Sequence, residues 1–192
     1  MTPTVCQTPV MRRRQPARVD ASDAPTLSVR AVRFEEVPEI LRLIEGAIER
    51  GCRNHYDRAQ RRAVFLVYAS NLFVDAVGPF QTVAAEIAGQ LAAVAQLDVA
   101  AGALRALFVD AAAQGQGVGR ALLAAVEARA RAAGCARLRG AMSLNAVPFY
   151  AHAGFLPCGG PARLLSAGLR VPVTWMEKSL RASRPPSSPA RT

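Results

Sequence analysis

The sequence predicts a single α/β domain, a mixed and mostly antiparallel sheet of about seven strands with helices on its flanks. Three observations carry that prediction. Residues Ala103–Gly134 read as a buried strand, a loop, a glycine-studded turn and a long helix. Ahead of them, two apolar runs flank Ala88-Gly89 as a hairpin. Behind them, strand and helix patterns alternate to the end of the apolar region, giving ββαβαβ after two leading helices. With 192 residues, of which 51% are hydrophobic, the chain can fill one core.

Each element has a local reason. Leu27–Arg33 alternates apolar and polar residues, the period of a half-buried strand. Glu35–Arg50 carries Val37, Ile40, Leu41, Ile44 and Ile48 on one helical stripe, with Pro38 in its first turn and Gly51 at its end. Asp57 and Gln60 form a capping-box pair for a helix that reaches about Ser70, with Val64, Val67 and Tyr68 inward. After a Gly78-Pro79 turn, Phe80–Ile87, Gln90–Val99 and Leu104–Val109 run as an antiparallel meander. The long helix runs from about Gly117 to Ala133 and stops at Gly134. Ala136–Met142 is a strand, Asn145 caps a short helix, and Gly154-Phe155 leads to a further strand. A loop through Gly159-Gly160-Pro161 precedes the last strand, Leu169–Lys178, where Pro172 predicts an edge or a bulge.

The net charge of +10 is concentrated at the ends. Arg12, Arg13, Arg14 and Arg18 stand in residues 1–26, and Arg181, Arg184 and Arg191 in residues 181–192. Both segments are rich in Pro, Ser and Thr and predict a disordered arm and tail around a domain at 27–180. The tails lack interleaved aromatics, and Lys178 is the single lysine, so the charge does not point to nucleic acid. No apolar run has signal-peptide or membrane-spanning length. Cys6, Cys52, Cys135 and Cys158 show no metal-ligand spacing and read as reduced thiols, which predicts a cytoplasmic protein without a metal.

The turn Gln114-Gly115-Gln116-Gly117-Val118-Gly119 before a helix predicts an anion cradle, because backbone N–H groups and the helix dipole converge there. It is not a dinucleotide turn: Arg120 stands where the third glycine belongs, and Asp110 to Gln114 hold it away from the strand. No Lys-Ser or Lys-Thr follows, which excludes a nucleotide P-loop.

Gln114-x-x-Gly117-x-Gly119, with Leu107-Phe108-Val109 before it and Arg120-Ala121-Leu122-Leu123 after it, resembles the pyrophosphate motif of the GNAT superfamily of acyl-CoA-dependent N-acetyltransferases. Ser143-Leu144-Asn145-Ala146 and Phe149-Tyr150-x-x-x-Gly154-Phe155 resemble that family's second cofactor segment. The resemblance spans about Leu27–Leu180 and implies acetyl-CoA as acyl donor. It implies that the Leu104–Val109 strand diverges from its neighbour after a bulge. The pantetheine arm would then bond the strand edge at Leu107, Phe108 and Val109. The pyrophosphate would rest on the turn, Gln114, Gly115, Gln116, Gly117, Val118, Gly119 and Arg120, and Asn145 would bond the arm from the other side. An amine would attack the thioester directly, and Tyr150 would be the general acid. The strand before the turn carries no acid, which leaves Glu86 as the expected base, with Asp98 the other nearby carboxylate. His55 and Tyr56 fall in the loop that lines the family's acceptor site. The resemblance implies a small-molecule or peptide amine as partner, is compatible with a homodimer, and leaves the acceptor open. Two rivals remain at this level: an acyl-CoA-binding regulatory module without catalysis, and a nucleic-acid-associated protein acting through its basic ends.

Overall fold

A computed structural model of the chain describes residues 27–70 and 81–181. The expected arm at 1–26, the Gly78-Pro79 turn and residues 182–192 lie outside them. Strand β1 (Leu27–Ala31) leads through a 3-10 turn, Phe34–Glu36, into helices α1 (Val37–Gly51) and α2 (Arg58–Ala69). The apolar stripe of α1 is buried at Val37, Ile40, Leu43, Ile44, Ala47 and Ile48. The capping box of α2 forms: Gln60 N donates to Asp57 Oδ1 at 2.7 Å and Asp57 N to Gln60 Oε1 at 3.1 Å. In α2 it is Ala63 that is buried, whereas Val67, expected inward, is 42% exposed.

Strands β2 (Gln81–Ile87), β3 (Gln90–Asp98) and β4 (Ala103–Val109) form the expected meander. The Ala88-Gly89 turn has positive φ at both residues, +50° and +76°, the backbone of a type I′ hairpin. Helix α3 (Val118–Ala132), strand β5 (Arg137–Ser143) and helix α4 (Val147–His152) follow. The chain closes with β6 (Leu156–Pro157), β7 (Ala162–Ser166) and β8 (Leu169–Ser179). The sheet order is β1-β2-β3-β4-β5-β8-β6, with β7 also on β8. Val118, Leu122, Val126 and Ala130 of α3 pack on one face of the sheet, while α1 and α2 pack on the other against Val94, Ala106 and Val171. Burial on both faces explains why β2 and β3 read as nearly continuous apolar runs rather than as alternating ones.

Two expectations for the last strand and the short helix change. The loop at Gly159-Gly160-Pro161 is followed by β7, which turns through Ala167-Gly168 (φ +46° and +76°) into β8. Strand β8 therefore lies inside the sheet, between β5 and the β6 and β7 strands. Pro172 is tolerated because its carbonyl, and so its missing N–H, faces beyond the end of β5, where ladder pairing stops at Val173. Asn145 sits in a 3-10 turn, Leu144–Ala146, and its side chain caps no helix; α4 starts at Val147 with Pro148 in its first turn.

Strands β4 and β5, the parallel pair, are bonded only at Ala103 and Arg139 and then separate. At the pinch, a Cβ on Gly140 would stand 2.7 Å from the Leu104 carbonyl oxygen, so only glycine fits. One residue later β4 bulges: Leu104 pairs with Leu97 and Ala106 with Gln96, leaving Arg105 as the extra residue.

Candidate active site

The gap between β4 and β5 opens into a cavity of about 750 Å³. Leu107, Phe108 and Val109 of β4 form one wall; Ser143, Asn145, Phe149 and Tyr150 form the other. The glycine turn closes one end, contributing Gln114, Gly115, Gly117, Val118, Gly119 and Arg120. Gln116 is not a lining residue: its amide donates back to the Ala112 carbonyl at 2.8 Å.

The backbone of β4 alternates between two partners. Asp110 N donates to Ala92 O at 2.8 Å, so by antiparallel alternation Phe108 and Ala106 exchange bonds with β3. The N–H and C=O groups of Leu107 and Val109 then point into the cavity, and the Gln114 amide donates to the Val109 carbonyl there at 3.3 Å. Phe108 lines the site through its ring, and its backbone is spent on β3.

Gly115 and Gly117 have φ of +78° and +80°, which turns the chain into α3 with its first N–H groups facing outward. The first helical bond from the turn is Ala121 N to Gly117 O, which leaves the N–H groups of Val118, Gly119 and Arg120 for another acceptor. Gly119 has a different reason. A Cβ there would meet Val109 Cγ2 at 3.3 Å and the Phe149 ring at 3.5 Å, so glycine lets the helix start lie close against the cavity wall.

Tyr150 is 4% exposed and packs edge-on against Phe149 and Phe155, with ring centroids 5.0 and 5.3 Å away. Its hydroxyl has no hydrogen-bond partner among the described residues, and Tyr150 lines the cavity. Burial pushes the phenol well above its ordinary range. Asn145 Oδ1 accepts from Cys52 Sγ at 3.2 Å across the cavity. Burial also pushes the Cys52 thiol up, to about 11, so it stays protonated.

The remaining expected residues divide: His55 and Tyr56 line cavities at the gap, and Glu86 and Asp98 do not. His55 lines this cavity, and Tyr56 lines a smaller one that adjoins it at Tyr150. The Tyr56 hydroxyl donates to Pro172 O and accepts from Leu144 N, both at 2.8 Å. It stands where the next rung of the β5–β8 ladder would fall and ties the α1–α2 loop to the sheet. Glu86 lines no part of the cavity. Its carboxylate accepts from Arg30 Nε at 2.9 Å, and the same guanidinium donates to Glu36. The Arg30 partner holds the Glu36 carboxyl down at about 2. Glu86 thus belongs to a structural ion-pair cluster, and the base expected there is not at the site. Asp98 is also engaged, accepting from Ala101 N at 3.0 Å and facing Arg105 at 3.5 Å. No carboxylate lines the cavity among the described residues, which contain no metal-binding cluster either.

Sequence reasoning missed Ala47, Gly51 and Cys52 as cavity-lining residues. A signal was present. Ala47 and Gly51 are small residues one turn apart on α1, and a Cβ on Gly51 would stand only 3.5 Å from Asn145 Nδ2.

A splayed parallel pair, an anion cradle at a helix start and a phenol lining the gap are the parts an acyl-CoA-dependent transferase needs. The chain matches the acetyltransferase (GNAT) domain family model over residues 46–180 and belongs to that family. It is an acetyltransferase, with acetyl-CoA as its acyl donor. Its fold is similar to that of the GCN5-related N-acetyltransferase from Rhodopseudomonas palustris, at 24% identity and a TM-score of 0.76 over 81% of this chain and 97% of that one. The PaiA N-acetyltransferase of Thermoplasma acidophilum, solved with coenzyme A, is similar at 15% identity and a TM-score of 0.67, over 80% of this chain and 99% of that one. YncA of Salmonella typhimurium, a putative acetyltransferase solved with acetyl-CoA, has 19% identity and a TM-score of 0.56, over 84% of this chain and 98% of that one. No curated protein sequence matches the chain.

Proposed function

We propose that this protein transfers an acetyl group from acetyl-CoA to a primary amine of a small molecule or peptide, by direct attack of the amine on the thioester. The observation that carries the reading is continuity: the glycine turn, the open edge of β4 and Tyr150 line one cavity. The N–H groups of Val118, Gly119 and Arg120 hold the pyrophosphate. The cleft-facing N–H and C=O of Leu107 and the N–H of Val109 bond the pantetheine amides as an added strand would, and Asn145 holds the arm from the opposite wall. Acetyl-CoA supplies the activated acetyl group. A cleft-facing N–H of β4 donates to the carbonyl oxygen as charge develops there. Tyr150, kept as a neutral phenol by burial, gives its proton to the departing thiolate and is restored by the proton that the amine nitrogen loses on forming the amide, carried to it by water. The protonated state of Cys52 supports direct transfer over a covalent route through that thiol. Tyr56 contacts the acceptor in the smaller cavity beside Tyr150, and His55 lines the larger one. The catalytic unit is residues 27–180, to which the basic ends are accessory, and the unpaired cysteines Cys52, Cys135 and Cys158 fit a cytoplasmic setting.

Titration calorimetry with acetyl-CoA tests the site. Gly119→Glu puts a side chain and a negative charge against Val109 and Phe149, and it should weaken binding by about a hundredfold or more in a protein that keeps its helical circular dichroism. A folded variant with wild-type affinity overturns the assignment. Thiol release that depends on added amine separates the enzyme from a regulatory module that only binds acyl-CoA.

A further inference from the structure

We propose that the acceptor is a compact primary amine with an apolar substituent, and that the protein selects against polyamines and other multiply cationic amines. This rests on the acetyl-transfer reading and narrows its substrate class. A second, smaller cavity of about 80 Å³ lies beyond the splayed strands. It shares Cys52, Leu107, Ser143 and Tyr150 with the larger one, so the two meet at the phenol. Its outer wall is apolar: Val64 and Tyr68 from α2, Met142 from β5, Leu164 from β7 and Val173 from β8. Tyr68 also packs edge-on against Phe108 across it, with centroids 4.9 Å apart.

The charges point the same way. No carboxylate lines this cavity among the described residues, and the one charged lining residue is Arg105, a cation. Asp98, which faces the Arg105 guanidinium at 3.5 Å, is not a lining residue. The attacking amine enters neutral, so it needs no counter-charge. A second ammonium on the same molecule would have to give up water for an apolar wall and a guanidinium. An alkyl or phenyl group, by contrast, gains on the order of tenfold for each methylene that the wall accommodates.

The test has two parts. Thiol release from acetyl-CoA is followed with isopentylamine and 2-phenylethylamine, and with 1,4-diaminobutane and spermidine. The apolar amines should show kcat/KM at least tenfold higher than the polyamines. Equal or better use of spermidine overturns the proposal. So does turnover of either polyamine with none of either apolar amine. A protein that binds acetyl-CoA but releases no thiol with any amine, or that binds no acetyl-CoA, fails at the earlier reading instead. The second part uses Leu164→Glu, at a position 38% exposed and therefore tolerant of charge. It should shift the preference toward spermidine by about tenfold or more with acetyl-CoA affinity unchanged. An unshifted preference in the folded variant overturns the role given to the apolar wall.

Discussion

Tyr150 and Tyr56 are chemically identical and almost equally buried, at 4% and 3% exposed. Their hydroxyls separate them. That of Tyr56 has both a donor and an acceptor and holds the sheet to a loop, whereas that of Tyr150 has neither among the described residues, and Tyr150 lines the cavity. Burial disfavours the phenolate of Tyr150, so its pKa moves up and the proton stays on through ordinary pH. The sign of the pH dependence follows. Raising the pH removes the proton from the amine substrate and does not take the one from Tyr150. With 2-phenylethylamine as acceptor, kcat/KM should therefore climb with pH and show no falling limb below about pH 10. Tyr150→Phe should lower kcat by about a hundredfold and leave calorimetric acetyl-CoA affinity within about twofold. A variant with wild-type kcat across that range takes the proton-donor role away from Tyr150.

At the level of elements, the decisive object is strand β4, whose two edges do different work. One edge is committed to β3 through Ala106 and Phe108, and the other is open at Leu107 and Val109 because β5 has turned away. Amide exchange reads the two edges separately. In the free protein the Phe108 N–H should exchange slowly and the Leu107 and Val109 N–H groups quickly; acetyl-CoA should slow those two by at least tenfold and leave Phe108 unchanged. Equal protection of Leu107 and Phe108 in the free protein would mean that the edge is not open. Much of this was legible in the sequence, because it depends on local chemistry: the glycine turn, the helix after it, the Asp57 box and the Ala88-Gly89 hairpin. Non-local pairing was not. Nothing in the pattern around Glu86 reveals that Arg30, on another strand, will claim its carboxylate. Asn145 looked like a helix cap, yet its partner is Cys52, brought across from the far end of α1. Strand β7 hid in a Gly- and Pro-rich stretch although Ala167-Gly168 repeats the dipeptide of the first hairpin, because its apolar residues do not alternate.

Taken whole, the sheet is two halves, β1 to β4 and β5 to β8, joined by one parallel pairing and by the core beneath α3. In that core Leu138, Met142 and Met176 from the second half pack with Val83, Leu97 and Leu104 from the first. The open gap leaves backbone groups on both sides to water, so the free protein lacks interactions that a bound pantetheine arm provides to both halves at once. Binding to the folded state alone must then raise its stability. Acetyl-CoA at a hundred times its Kd contributes about 2.7 kcal/mol, which corresponds to a Tm rise of about 5–10 °C for a domain of this size. Differential scanning calorimetry of the wild type and of Gly119→Glu reads the effect. The wild type should shift by that amount and the variant, at the same ligand concentration, by about 2 °C or less, whatever its own Tm without ligand. A wild type with no shift at that saturation would mean that the unfolded chain binds the ligand as well. An equal shift in the variant would mean that the ligand stabilises the fold from somewhere other than the gap between β4 and β5.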